Sequence, residues 1–135
     1  MKIPFRINHI NVSQFAIFPE NAEGAEDIEI QTEITFKITK GARNILCKTI
    51  FSYLNGDKVI MKLDLENNFE VSSEGAAAII KEKKVSVDFQ RYLATISTGT
   101  ARGVIYAKSE GTVVSSLVLP PINLTEFIKD DVILT

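Results

Sequence analysis

The chain has 135 residues, a formal net charge of −2 and 45% hydrophobic residues. The length suits one domain over residues 1–135, and the small negative charge argues against nucleic acid as a partner, because phosphate binding requires clustered Lys and Arg. The first residues lack the apolar run of a signal peptide, and no stretch of about 18 apolar residues could span a bilayer, so we expect a cytoplasmic protein without membrane insertion.

Three segments in the first half of the chain have the residue pattern of β-strands. Residues 5–18 are rich in Ile, Val and Phe and end before Pro19, which predicts a long, irregular first strand. Residues 27–39 alternate between apolar and polar, as a half-buried strand does. Residues 45–54 carry apolar side chains on both faces, which predicts a strand covered on both sides.

A hairpin follows these strands. Asn55-Gly56 tolerates the positive φ angles of a type I′ turn and predicts antiparallel pairing of residues 45–54 with an alternating strand at 59–66. Asn67-Asn68 should then bend or bulge that strand.

A long amphipathic helix is predicted in the last third of the chain. Ser86 or Asp88 can cap it, and its apolar spacing of three and four continues to about Glu110. The preceding connection, residues 72–84, is compatible with either a mobile loop or a short helix. Small residues crowd the middle of the long helix at 97–103, where each interior Gly costs about 1 kcal/mol relative to Ala. This cost indicates close approach by another helix or a sheet.

No catalytic or ligand-binding motif is present in the sequence. His9 is the only histidine and Cys47 the only cysteine, so neither a catalytic triad nor a His/Cys metal site can be assembled, and Cys47 is expected to fill the core. Gly99 and Gly103 do not form a nucleotide-binding glycine loop. We therefore predict a protein that is not an enzyme and uses no metal or cofactor.

Two compositional features point towards binding. The acidic stretch 20–33 contains no Lys or Arg and is explained equally well by a basic partner or by a solvated strand face. Several large apolar residues fall outside the amphipathic patterns and predict an exposed patch, either an oligomer interface or a binding groove. These residues are Phe5, Phe15, Phe18, Ile79 and Ile80.

The segment after the long helix resembles a known family. Its Leu117, Leu119, Pro121, Ile122 and Asn123 are similar to the Leu-x-Leu-x-Pro-[Val/Ile]-Asn segment of the SecB export chaperones. Three further short matches, at Pro19–Ala22, Ala101-Arg102 and Ser109–Thr112, extend the resemblance over most of the chain.

The resemblance implies an α+β fold in which a four-stranded antiparallel sheet packs with one long helix and a short C-terminal helix. It further implies a homo-oligomer, a dimer or tetramer assembled through helices at Gly99, Ala101 and Gly103, and a surface groove for unfolded polypeptide. The client-binding residues implied for this groove are Ile28, Ile30, Ile79, Ile80, Leu119 and Ile122.

The function implied is that of an ATP-independent chaperone, or holdase, as in protein export. Ser13, Ile17 and Lys62 stand where family members that dock to the SecA motor carry acidic residues, which argues against SecA as a partner. The C-terminal helix is expected to be short and to end at residues 130–135. Because this helix forms the lip that covers the groove in the family, a short helix is expected to cover less of the groove. Three alternatives stay open: a module for a small apolar ligand in the gap between sheet and helix, a dedicated partner-binding protein of the antitoxin type, and a purely structural oligomer.

Overall fold

The computed structural model describes residues 3–134. Its four long strands form one antiparallel sheet in the order β1-β4-β3-β2, and β5 and β6 pair separately. This arrangement, with one long helix, confirms the predicted α+β class. The elements are β1 (Phe5–Ile17), β2 (Glu29–Ile38), β3 (Asn44–Asn55), β4 (Lys58–Val71), α1 (Ser73–Glu82), β5 (Lys84–Val85), α2 (Val87–Lys108), α3 (Leu124–Phe127) and β6 (Val132–Ile133).

The two edge strands of the sheet differ in regularity. β2 pairs with β3 in unbroken register from Glu29 to Ile38, and its residues alternate between exposed and half-buried as predicted. β1 is irregular, as predicted, because its pairing with β4 shifts between Ile7 and His9 and again between Val12 and Gln14. Bulges of this kind twist an edge strand, whereas the pairing of β2 with β3 contains none.

The predicted antiparallel hairpin of β3 and β4 is confirmed, but its predicted turn type is wrong. The turn is Gly56-Asp57, since Asn55 pairs with Lys58, and of the two turn residues only Gly56 has a positive φ, so the turn is not type I′. The Asn55 side chain donates to the backbone oxygen of Asn21 at 2.9 Å, which gives this residue a role outside the turn.

The predicted irregularity at Asn67-Asn68 lies instead in the partner strand. β4 continues without interruption through both residues. The register shift between Ile7 and His9 leaves the extra residue, Asn8, in β1.

The core lies between the sheet and α2 in two clusters. The Phe69 cluster joins Ile45, Cys47 and Phe69 of the sheet to α1 and to Leu93 of α2. The Phe51 cluster joins β3 and β4 to Ala101 and Ile105 of α2 and to Leu119 beyond it. A buried polar contact stands where α2 crosses β4, with Asn67 Nδ2 donating to Ser97 Oγ at 3.1 Å. Such a contact fixes the position of α2 on the sheet, because an unpaired buried amide is costly.

The open alternative for residues 72–84 is resolved as a helix. Ser72 caps α1 by accepting from the backbone N–H of Gly75 at 3.0 Å. Ala76 and Ile79 then bury against the Phe69 cluster. Ser86, one of the two predicted caps, caps α2 in the same way at Phe89.

The segment after α2 runs back along that helix. Arg102 donates to the backbone oxygens of Leu119 and Pro120 at 2.7 and 3.1 Å. Arg91 donates to the Ile128 oxygen at 3.0 and 2.7 Å, and Gln90 donates to the Asp130 oxygen at 2.9 Å. These side chains satisfy carbonyls that have no sheet or helix partner.

The end of the chain differs from the prediction of a helix reaching residues 130–135. α3 has four residues and ends at Phe127. Val132 and Ile133 instead form β6, which pairs with β5, while Thr135 lies outside the described residues. The Asp131 carboxylate accepts from the backbone N–H of Val87 at 2.8 Å and lies 3.4 Å from the Lys84 ammonium.

We expect Asp131→Ala to lower the free energy of unfolding by about 1–2 kcal/mol, because the first turn of α2 loses a carboxylate that satisfies its N–H. Urea denaturation would measure this change. Asp130→Ala is the matched control, since the Asp130 side chain is exposed and only its backbone oxygen is used. Equal effects of the two substitutions would contradict this role of Asp131.

Candidate functional site

The helix-facing side of β2 forms an apolar strip at the free edge of the sheet. Its five members are all half-buried, and β2 has a hydrogen-bonded neighbour on one side only. Half of the backbone N–H and C=O groups of such an edge strand point away from the sheet. The β2 strip therefore offers both apolar side chains and unpaired backbone groups to a partner. It consists of four apolar residues, Ile30, Ile34, Phe36 and Ile38, and the polar Thr32.

Four of the predicted client-binding residues belong to the Phe51 cluster or pack against it, and this cluster adjoins the amino-terminal end of the β2 strip. Ile28, Ile30 and Ile122 are half-buried and pack against the Phe51 cluster, to which Leu119 itself belongs. The hydrogen bond from the Arg102 side chain to the Leu119 backbone oxygen holds Leu119 in this cluster. Leu119 is only 1% exposed, so it supports this end of the site from beneath while the isoleucines form its surface.

Tyr53 lies under this end of the strip, paired across the sheet with Ile30. Burial raises the pKa of its hydroxyl to about 12, and the positive charge of Arg102 partly offsets this effect. The hydroxyl is buried and has no hydrogen-bond partner within residues 3–134. It is therefore a protonated, unsatisfied donor at neutral pH.

An open cavity of about 540 Å³ lies at the carboxyl-terminal end of the strip. Phe36 and Ile38 form its β2 side, and Ile80 of α1, which is 47% exposed, faces it. The remaining wall comes from the turn after β2, at residues 39–41, and from β6 and its neighbour, at Val132, Ile133 and Leu134. We use the name β2 groove for the β2 strip together with the surface beside the Phe51 cluster at its amino-terminal end and the 540 Å³ cavity at its carboxyl-terminal end.

The other predicted site residues have different surroundings. Ile79 is 2% exposed and packs in the Phe69 cluster, and Ala101 is fully buried against its own sheet, so neither side chain is accessible to a partner in this arrangement. Gly99 and Gly103 are exposed on α2, where an added Cβ would meet no atom within 4 Å. Whether any of these residues contacts a client or a second copy stays a prediction.

Sequence reasoning missed part of the groove. Ile34, Phe36 and Ile38 continue the strip. The alternation of apolar and polar residues over 27–39 is a signal that could have identified them as part of the same face. Val132 and Ile133 gave no such signal, because their position depends on a two-residue pairing with β5.

The site contains no arrangement suited to metal chemistry. Within residues 3–134, no group of three or more His, Cys, Asp or Glu side chains is placed to hold a metal ion. Burial raises the pKa of the Cys47 thiol to about 11, an effect reduced by its hydrogen bond to Ser97, so this core residue stays protonated at neutral pH. None of the helices in the described part of the chain has both the length and the hydropathy needed to cross a bilayer.

The fold is similar to that of the SecB-like chaperone of Mycobacterium tuberculosis, solved in complex with a ChAD peptide from the HigA1 antitoxin. The TM-score is 0.51 at 11% sequence identity, and the alignment covers 88% of this chain and 90% of that chain. This chain has a SecB-like fold.

At 11% sequence identity, the similarity to the SecB-like chaperone is evidence for the fold alone. A protein of unknown function from Streptococcus agalactiae aligns with a TM-score of 0.44 and 12% identity over 92% of this chain and 98% of that chain. No protein-family model matches the sequence, and no curated protein matches it either.

We expect Tyr53→Phe to raise the free energy of unfolding by roughly 1 kcal/mol, because it removes a buried hydroxyl that has no partner while keeping the ring. Thermal or urea denaturation would measure the gain. Tyr106→Phe is the control, since Tyr106 is 65% exposed and its hydroxyl is solvated. A loss of stability in Tyr53→Phe would mean that the hydroxyl is satisfied, for example by a bound water.

Proposed function

We propose that the protein is an ATP-independent chaperone that holds non-native polypeptide in the β2 groove. The observation that carries the proposal is the β2 edge, which has unbroken register and no strand on its outer side, with a largely apolar strip along its length and a cavity walled by Ile80, Val132 and Ile133 at its carboxyl-terminal end. The similarity in fold to a SecB-like chaperone solved with a peptide supports it. We expect the protein to act in the cytoplasm.

The mechanism requires only binding. A client strand can add to the β2 edge through backbone hydrogen bonds while its alternate side chains bury against the strip. Three or four client side chains buried at roughly 1.5–3 kcal/mol each contribute about 4.5–12 kcal/mol, which offsets an association cost in the lower part of the range of about 4–15 kcal/mol. Backbone hydrogen bonds along the β2 edge, at about 0.5–1.5 kcal/mol each, supply the remaining free energy of binding. We therefore expect micromolar binding of unfolded chains, which lowers the concentration of free unfolded protein without nucleotide hydrolysis.

A second candidate is a dedicated partner-binding protein, in which the groove holds one segment of one partner. The antitoxin peptide present with the Mycobacterium tuberculosis protein favours this candidate. Ser13, Ile17 and Lys62 stand where SecB family members that dock to SecA carry acidic residues. This difference is consistent with a partner other than SecA. By contrast, no observation favours a small ligand between sheet and helix, because the side chains of the two core clusters fill that gap.

We also propose that the chain forms a homo-oligomer through α2 and β1. Gly99 and Gly103 leave open space on the outer face of α2. Ile7 and Ile10 on the edge strand β1 are 45% and 44% exposed, although they pair with Phe69 and Asn67 on the buried face of the sheet. A second copy packed here would bury both features.

The test of chaperone function is calorimetric titration with a reduced, permanently unfolded polypeptide, together with suppression of its aggregation. Ile80→Asp should weaken binding at least tenfold, because it places a charge in the wall of the groove. Ala77→Asp is the matched control, an exposed position on the same helix that does not line the cavity. Circular dichroism should show both variants folded.

Three results would change the proposal. If wild-type protein binds no unfolded chain, the chaperone proposal fails. Binding of one partner segment only, with no suppression of aggregation, would favour the dedicated partner. Equal weakening by Ile80→Asp and Ala77→Asp would locate binding outside the groove.

We expect Gly99→Leu to reduce the assembled fraction in sedimentation velocity, because a large side chain prevents close approach of another copy at this position. The same change should stabilise the isolated helix, since Leu exceeds Gly in helix propensity by almost 1 kcal/mol. Ala77→Leu adds exposed apolar surface on α1 and serves as the control. Unchanged assembly in Gly99→Leu would exclude this face of α2 as the interface.

A further inference from the structure

The two ends of the β2 groove carry opposite charge. The loop before β2 is acidic and exposed, whereas the exposed charges beside the 540 Å³ cavity at the other end are mainly basic: Lys40 lines the cavity, Lys81 follows Ile80 in α1, and the Lys83 backbone oxygen accepts from the N–H of Leu134. The acidic end comprises Glu20, Glu23, Glu26 and Asp27, and the basic end comprises Lys40, Lys81 and Lys83.

These charges are not neutralised locally. The four ion pairs found within residues 3–134 use other cations, namely Arg6, Arg43, Lys48 and Lys84. Charges of opposite sign are fewer at each end: Lys58 and Arg102 near the acidic loop, and Glu82, Asp130 and Asp131 near the cavity, where Asp131 is already paired with Lys84. Each end of the groove therefore has a net charge available to a bound chain.

The length of β2 keeps the two fields separate. Ten residues at about 3.4 Å each give a strand of roughly 34 Å, several times the screening length of about 8 Å at physiological ionic strength. A bound segment would therefore experience a negative field at one terminus and a positive field at the other, and these fields act independently.

We infer that the groove selects extended segments of about ten residues that are acidic at the amino-terminal end, apolar at alternate central positions and basic at the carboxyl-terminal end. Antiparallel addition to β2, the slightly more stable pairing, sets this polarity, because it places the client's amino terminus beside Lys40 and its carboxyl terminus beside Asp27. The inference rests on the proposed function and adds to it a direction of binding.

The test uses three synthetic peptides with blocked termini and one common alternating apolar centre. The matched peptide has two Glu at its amino-terminal end and two Lys at its carboxyl-terminal end, the reversed peptide exchanges them, and the neutral peptide has Gln at all four positions. Matched and reversed peptides have the same composition and net charge, so general attraction to the protein cannot separate them. Fluorescence anisotropy at low and at high salt would give the affinities.

We expect the matched peptide to bind roughly three- to tenfold tighter than the reversed peptide at low salt, the size expected of a few exposed ion pairs, and the difference to disappear near 1 M salt. A protein variant with Lys40→Glu, Lys81→Glu, Glu26→Lys and Asp27→Lys keeps the net charge and should reverse the preference. A nitroxide at the peptide's amino terminus should broaden the Lys40 amide resonance rather than that of Asp27.

The outcomes distinguish this inference from the proposed function. If the neutral peptide binds and the matched and reversed peptides bind equally, the inference is overturned and the proposed function stands. A preference that the fourfold variant fails to reverse also overturns it. If no peptide binds, both are overturned.

Discussion

Hydrogen bonds from the side chains of α2 to the backbone of the returning segment determine where both ends of the groove lie. Residues 117–131 contain Pro120-Pro121 and form only one short helix, so their carbonyls need donors from elsewhere. Arg102 supplies them at one end of α2, and Arg91 with Gln90 at the other. Leu119 is thereby held in the Phe51 cluster, against which Ile30 and Ile122 also pack, and β6 is held beside Ile38 in the wall of the cavity.

The position of α2 on the sheet has a polar determinant as well as apolar ones. Asn67 and Ser97 meet between the Phe69 and Phe51 clusters, at a point where apolar packing alone would allow the helix to slide by a turn. A displacement would leave the Asn67 amide without its partner in a dry environment, which is costly. The same helix therefore stays fixed while it anchors the groove.

Local patterns in the sequence were sufficient for the strands, α2 and its cap at Ser86, because alternation and capping depend on near neighbours. They left α1 open, since the Ala-rich segment becomes a helix through burial of Ala76 and Ile79 against distant strands. Pairing of β6 with β5 is similarly non-local. The groove was therefore predicted at Ile28, Ile30 and Ile122 but not at Ile133, and the bulge was assigned to Asn67-Asn68 instead of Asn8.

The absence of bulges in β2 has a consequence for the protein when nothing is bound at this edge. Natural sheets protect their edges with bulges, prolines or short strands, and β1 has two bulges, but β2 has ten residues in unbroken register and no proline. An unoccupied β2 is thus a template for any exposed strand, including β2 of another copy. Under the proposed function, client binding and self-pairing would compete for this one edge, so the solubility of the free protein and its capacity for clients would be two measures of the same surface.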